Sequence, residues 1–288
     1  MRFGVVILPE WRWSDAAAVW REAEDLRFDH AWTYDHLAWR TLRDEPWFAA
    51  IPTLTAAAAA TSRVRLGTLV ASITFRHPVP FAKELVALDD ISNGRLTLGI
   101  GAGGSGYDAL MLGGPVWTTR ERGERFVEFV ELLDRLLRRP AVSYAGRYYA
   151  ADEARTYPGC VQQPRIPLAI AATGPTGLAL AARLADVWVT TGPRSSPTPL
   201  APEEGTSAVR TQMARLDDAC AAAGRDPSTL RRLVLTGPEL DPSLSSVGAF
   251  EHGAGAYAAI GVTDYVVHWP RASGPFAADR EMFERIFS

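Results

Sequence analysis

Residues 66–104 read LGTLVASITFRHPVPFAKELVALDDISNGRLTLGIGAGG. A β-branched and apolar run over 64–70 leads through the helix entry His77-Pro78 into a helical pattern over 79–91. A second apolar run follows over 96–100. Both runs are apolar without alternation, as expected of parallel strands covered on both faces. The same unit repeats outward in both directions. Strand patterns fall at 3–8, 31–34, 64–70, 96–100, 168–172, 187–190, 233–236 and 265–268. Helical patterns fall at 14–27, with Ser14 as N-cap, and at 47–61, 79–91, 119–138, 175–184, 208–223, 247–260 and 276–287. In 119–138, Phe126, Phe129, Val130, Leu133, Leu136 and Leu137 form one apolar stripe.

Eight βα units in 288 residues fit a (β/α)8 TIM barrel, for which about 250 residues is typical, and predict one domain over 1–288. The excess length has two homes: a β-hairpin over 142–157, inserted after the fourth long helix and turning at Ala145-Gly146, and a Pro/Ser-rich loop over 193–205 after strand six. Both are placed to cover the mouth. A doubly wound open sheet shares the alternation, but its nucleotide fingerprint is missing after the first strand, where Pro9-Glu10-Trp11 stands.

A net charge of −3 gives no electrostatic footprint for nucleic acid or an anionic bilayer. No run reaches the roughly 18 apolar residues of a membrane span. The two cysteines, Cys160 and Cys220, lack metal or redox spacing and suit a reducing cytoplasm. Of 30 Lys and Arg only Lys83 is lysine, so a P-loop is absent and Lys83 is the sole Schiff-base candidate for a barrel aldolase or isomerase; it lies early in a helix. No metal-ligand cluster, HExxH or GxSxG occurs, so metal and serine hydrolases lack their parts.

Gly99-Ile100-Gly101-Ala102-Gly103-Gly104 matches GxGxxG formally, yet residues 105–117 read as loop, so no helix begins inside the glycines to meet a pyrophosphate. Close backbone approach to a flat ligand is one meaning of Gly101, Ala102 and Gly103; a flexible loop is the other. Thr173-Gly174-Pro175-Thr176-Gly177 ends a strand and opens a helix with Pro175 at N1, an arrangement suited to a phosphate, with a plain βα turn as alternative. Thr190 and Thr191 add hydroxyls from the next strand end. Asp35-His36 ends strand two, where barrel chemistry is normally found, beside the aromatic residues Trp32, Tyr34, Trp39 and Trp47. His77 reads as a helix entry, and His30 and His252 as surface or loop residues.

With these residues in place, 33–37, 66–104 and 171–192 together resemble the bacterial luciferase-like flavin and deazaflavin oxidoreductases. The resemblance covers strands one to six, and its RHP…LD…S-x-GR…LGxGxG array is specific. It implies a barrel holding FMN or coenzyme F420 at the C-terminal mouth. The phosphate would sit at Thr173, Gly174, Pro175 and Thr176 near Thr190 and Thr191. The ring would lie beside Gly101, Ala102 and Gly103 and against a bulge with a non-prolyl cis peptide within Leu69-Val70-Ala71. His36 then handles hydride positioning or protonation, with Asp35 orienting it. The sugar-phosphate dehydrogenases of the family carry a glutamate after the strand-four glycines and lysines that grip the phosphate. Ala102 and Gly103 stand here instead, which points away from a sugar phosphate.

The expectation is therefore a hydride transfer between bound F420 and a small organic substrate. The alternative is an FMN monooxygenase using O2, with a flavin or F420 reductase as partner. An inactive, binding-only barrel is the other class, against which the intact glycine turns and His36 stand. Trp39, Trp47, Tyr107, Trp117, His268 and Trp269 are expected to line the substrate pocket, Asp89 and Arg95 to tie the third helix to strand four, and Arg120 and Arg122 to anchor surface or loop. A cytoplasmic homodimer is the expected form.

Overall fold

A computed structural model of the chain describes residues 1–104, 106–193 and 198–288. Its elements are β1 (Arg2–Val6), α1 (Trp13–Asp25), β2 (His30–Thr33), α2 (Ala50–Ala60), β3 (Arg65–Ser72), α3 (Pro78–Ile91), β4 (Leu96–Gly101), α4 (Tyr107–Met111), α5 (Thr119–Arg138), β5 (Ala141–Ala145), β6 (Ala150–Arg155), β7 (Leu168–Ala171), α6 (Pro175–Leu184), β8 (Val187–Thr190), α7 (Pro202–Ala222), β9 (Arg231–Leu235), α8 (Val247–Ala259), β10 (Asp264–His268) and α9 (Arg280–Phe287). Eight parallel strands close in the order β1-β10-β9-β8-β7-β4-β3-β2. Closure is made by β1, which pairs with β10 from Arg2 opposite Asp264 to Val6 opposite His268, and with β2 on its other side. The chain is a (β/α)8 barrel.

Successive side chains of a strand point to opposite faces, so each strand serves two cores. Val6, Trp32, Leu69, Ala169, Val187, Val189, Leu233, Leu235 and Val266 fill the interior. Val5, Ala31, Leu66, Leu98, Ile170, Trp188, Val234 and Val267 meet the helices. The α5 stripe is buried throughout, and each such side chain contributes about 1.5–3 kcal/mol through removal from water.

Several local expectations change. Helix α1 begins at Trp13 with Arg12 as N-cap and no side-chain cap bond, so Ser14 is inside the helix. Residues 105–117 contain α4, and α9 starts at Arg280 behind Asp279, whose carboxylate accepts from the Met282 N–H. Phe276 therefore stands in the preceding loop. Pro202 opens α7, which shortens the Pro/Ser-rich loop; its residues 194–197 lie outside the described residues. Asp89 and Arg95 form no ion pair, but Arg95 does tie α3 to β4, its Nε donating to the carbonyl of Ser92, the C-cap of α3, at 2.8 Å. Asp89 accepts from the Val161 and Gln162 backbone N–H groups, while Arg95 donates to the carbonyls of Ala58, Thr61 and Val64 at the end of α2. His77 does cap α3, accepting from the Val79 N–H.

Strands β5 and β6 form an antiparallel hairpin. Its turn is held on α5 by Glu128, whose carboxylate accepts from the N–H groups of Arg147, Tyr148 and Tyr149. At the tip, Arg125 lies 4.3 Å from the Trp117 ring and 4.4 Å from that of Tyr148. The insertion thus flanks the barrel along α5, and Trp117 belongs to that contact.

His30, read as a surface or loop residue, is buried in the barrel floor. Its Nδ1 accepts from Trp32 Nε1 at 2.7 Å, so Nε2–H donates to Asp264 at 3.0 Å. Asp264 also accepts from Arg2 at 2.9 Å and Thr263 at 2.6 Å. Burial alone would raise its pKa, but the hydrogen bonds from His30 and Thr263, with the charge of Arg2, outweigh it and hold the carboxyl at about 2. Glu24 is held at about 2 against its own burial by the N–H groups of Val64, Arg63 and Ser62.

Carboxyls lowered on folding contribute stability above their unfolded values, and the contribution is lost as pH falls toward the folded ones. The melting temperature should therefore drop between about pH 4.5 and about pH 2, and Asp264→Asn should flatten part of that slope while lowering stability at neutral pH. A melting temperature indifferent to pH across this window would contradict the assignment.

Candidate functional site

Catalysis in (β/α)8 barrels is built at the C-terminal ends of the strands. After β2 the chain presents Asp35 and then His36, and their side chains part company. Asp35 is buried and receives Arg76 in bidentate fashion, at 2.9 and 3.0 Å, together with the Ser72 N–H at 3.2 Å. It fastens β2 to the β3–α3 connection and does not touch His36. The group that orients His36 is Asp108 on α4: Oδ2 lies 2.7 Å from His36 Nδ1, and Oδ1 accepts the Leu37 N–H at 2.7 Å. Neighbouring side chains on an extended segment diverge, so adjacency in sequence does not bring Asp35 onto the ring. Asp108 lies 72 residues from His36, within a stretch read as loop, and no local spacing announces it.

A carboxylate can only accept, so Nδ1 carries the proton and donates to Asp108, leaving the Nε2 lone pair without a protein partner among the described residues. The His36 side chain is one-third exposed, Asp108 nearly buried. Tyr34 and Trp47 have ring centroids 6.0 and 6.5 Å from His36, and Trp39 and Trp47 are stacked within 8° of parallel. Tyr107 precedes Asp108 and carries Arg43 over its ring at 5.1 Å.

On the neighbouring strand, the register of β3 slips between Thr68 and Ala71, and the Leu69–Val70 peptide is cis. Leu69 is buried in the interior and Ala71 against the helices; half-buried Val70 abuts Gly101, where an added Cβ would stand 2.8 Å from its methyl. Gly103 has φ +71°, and a Cβ there would stand 2.4 Å from the Thr74 hydroxyl. Beside half-buried Ala102, these glycines leave the turn a wall of bare backbone.

Thr173, Gly174, Pro175 and Thr176 are all exposed. Gly174 is the N-cap of α6 and makes no side-chain cap bond; Pro175 is at N1. The Thr176 and Gly177 amides thus lack an intrahelical acceptor at the positive end of a ten-residue helix. Thr191, half-buried, follows β8 nearby in sequence. Thr190 does not join it: its hydroxyl donates to Gln212 on α7 at 2.5 Å and accepts the Gly192 N–H, facing the helix layer.

Strand β10 ends with the same alternation. His268 points inward, and Trp269 outward onto Phe283 and Arg280, so Trp269 cannot line a pocket at the mouth. His268 is buried, 2.7 Å from the Tyr34 hydroxyl and face to face with Phe276 at 3.5 Å. Phe276 holds φ +62°, a conformation unfavourable for a bulky residue. Burial pushes the His268 pKa down to about 3, against a smaller opposing effect of the Thr236 carbonyl, and raises that of Tyr34.

Three comparisons place this architecture. The sequence profile described as luciferase-like monooxygenase matches residues 1–241. The F420-dependent glucose-6-phosphate dehydrogenase of Beutenbergia cavernae is 40% identical over 174 residues, which are 59% of this chain and 50% of that protein. The chain thus spans about half the length of that curated relative. The coenzyme F420-dependent tetrahydromethanopterin reductase of Methanopyrus kandleri superimposes with a TM-score of 0.78 at 19% identity, over 99% of this chain and 96% of that one. A monooxygenase from Streptomyces bottropensis gives 0.73 at 21%, over 100% and 96%. At such identities the superpositions speak for the fold.

Because His268 stays neutral in the folded barrel, the unfolded chain binds a proton that the native one refuses between about pH 6.5 and pH 3, and stability declines as pH falls through that window. The His268 imidazole carbon shifts in NMR should stay constant from pH 8 to about pH 4; a titration near 6.5 would overturn its placement.

Proposed function

The chain belongs to the luciferase-like monooxygenase family, and on that premise we propose that it is an oxidoreductase moving a hydride between bound coenzyme F420 and a small organic molecule. The observation that carries this is the His36–Asp108 pair, 2.7 Å apart, after the end of β2 and two strands round the barrel from the glycine turn that ends β4. The chemistry of such a cofactor, when bound, is two-electron transfer at one ring carbon.

The protein's part is to hold, orient and exchange a proton. The Leu69-Val70-Ala71 bulge and the bare Gly101–Gly103 backbone would bear on the flat ring system. The free amides at the start of α6, with Thr173, Thr176 and Thr191, would take the phosphate. Fit is supported by the open space at Gly174, where an added Cβ meets no atom within 4 Å. His36, fixed as the Nδ1–H tautomer, presents Nε2 to accept the hydroxyl proton of a substrate being oxidised, or, once protonated, to return it to one being reduced. Asp108 stabilises the imidazolium formed in between. Lys83 donates to the Tyr157 carbonyl from the flank of α3, which leaves a Schiff-base mechanism without its nucleophile at the mouth. We also take residues 1–288 as one catalytic unit and the chain as a cytoplasmic homodimer. Support for the last two comes from the two free cysteines and from the exposed Leu110, Met111, Leu112 and Val116 beside the mouth.

Fluorescence titrations of the purified apo-protein with F420 and with FMN, each oxidised and reduced, should show a preference for F420. Preference for reduced FMN would make the protein a monooxygenase instead, and binding of neither would overturn the redox reading. His36→Ala should lower turnover by about 10²–10⁴-fold with F420 affinity unchanged, and Asp108→Asn by about 10²-fold or more. Gly174→Val should weaken F420 binding; equal affinity would remove the phosphate from α6.

A further inference from the structure

Around the closed barrel, the strand ends assigned to the cofactor are contiguous: β3, β4, β7 and β8. The other four, β9, β10, β1 and β2, form the opposite half of the mouth, with His36 at the seam beside β3. On that second half, between the segment after β9 and helix α9, lies a cavity of about 660 Å³. That is a volume which takes a drug-sized molecule. None of the residues assigned to the cofactor lines it.

Its wall is mainly apolar, through Leu244, Phe276 and Met282, and includes Gly237 and His268. Arg285 lines it too, but so do Asp279 and Glu281, so the cavity holds no surplus of positive charge. One polar atom stands out. The Tyr34 hydroxyl finds no acceptor among the described residues other than His268 Nε2, so the phenol donates there. An imidazole that accepts at Nε2 bears its proton on Nδ1. That Nδ1–H belongs to a residue only 3% exposed and makes no well-aligned hydrogen bond, the nearby Thr236 carbonyl lying out of line with it. It faces Gly237, where an added Cβ would stand 2.7 Å away, and Phe276 covers the ring face. A buried donor left unpaired is unfavourable, and an entering oxygen atom relieves it.

We propose that this cavity is the substrate chamber and admits a neutral, largely apolar molecule whose carbonyl or hydroxyl oxygen accepts a hydrogen bond from His268 Nδ1–H. Its role as a substrate chamber rests on the oxidoreductase reading above; its ligand chemistry does not. Tyr34 joins the two histidines, bonded to His268 through Nε2 and in ring contact with His36.

The test uses the apo-protein with acetophenone, ethylbenzene and benzoate, followed by calorimetry and ligand-observed NMR. Acetophenone should bind about tenfold more tightly than ethylbenzene, as one buried hydrogen bond provides, and more tightly than benzoate. His268→Phe should erase the preference over ethylbenzene, and Leu244→Trp, on the half-buried wall, should abolish binding of all three. Equal binding of ketone and hydrocarbon, a preference for benzoate, or undiminished binding by Leu244→Trp would each overturn the proposal. If His268→Phe does not fold, the wild-type series and Leu244→Trp still decide. Since no cofactor is present, failure here leaves F420 binding untouched, and failure of F420 to bind leaves the cavity's chemistry standing.

Discussion

Parallel pairing of β1 with β10 joins residues 262 apart in the chain and converts an open sheet into a barrel. Its loop-closure entropy is offset because both strands are buried on both faces, so alternate residues remove apolar surface from water on the interior side and on the helix side. Everything at the mouth inherits its position from that seam. Tyr34 reaches His268 across 234 residues, and the floor contact of His30 with Asp264 spans the same separation. One seam thus sets the two ends of the barrel at once.

Those two ends handle a buried histidine in opposite ways. At the floor, His30 is satisfied at both nitrogens and its neighbour Asp264 is multiply bonded, an arrangement that serves stability alone. At the mouth, His268 has one nitrogen satisfied and one not, under a phenylalanine held at positive φ. A buried histidine closed at both nitrogens has no donor left for a ligand, whereas one with an open nitrogen has.

The repeating pattern made the barrel legible: all eight strands lie where uninterrupted apolar runs stand, and α5 and α6 begin and end at the residues their stripes and caps suggest. The glycine turn and the Pro175 helix start were likewise visible, because backbone chemistry is written locally. What escaped was direction and distance. Thr190 and Trp269 are one residue out of phase with the interior, and a period of two sends them to the helix layer. His30 looked peripheral because its partner, Asp264, sits at the far end of the chain. Asp35 was credited with a neighbour's task, which Asp108 performs from a five-residue helix hidden in an apparent loop.

That small helix has a further consequence. A segment of five residues cannot hold itself helical in water, and its own Leu110 and Met111, with Leu112 at its C-cap, are exposed and give it little burial in return. Its opening free energy is accordingly well below that of the barrel. Opening withdraws Asp108 and frees His36 to rotate while every strand stays paired. On the proposed role of His36, warming would silence the site by a local event while the barrel still holds, and cooling would restore it because the barrel would not have come apart.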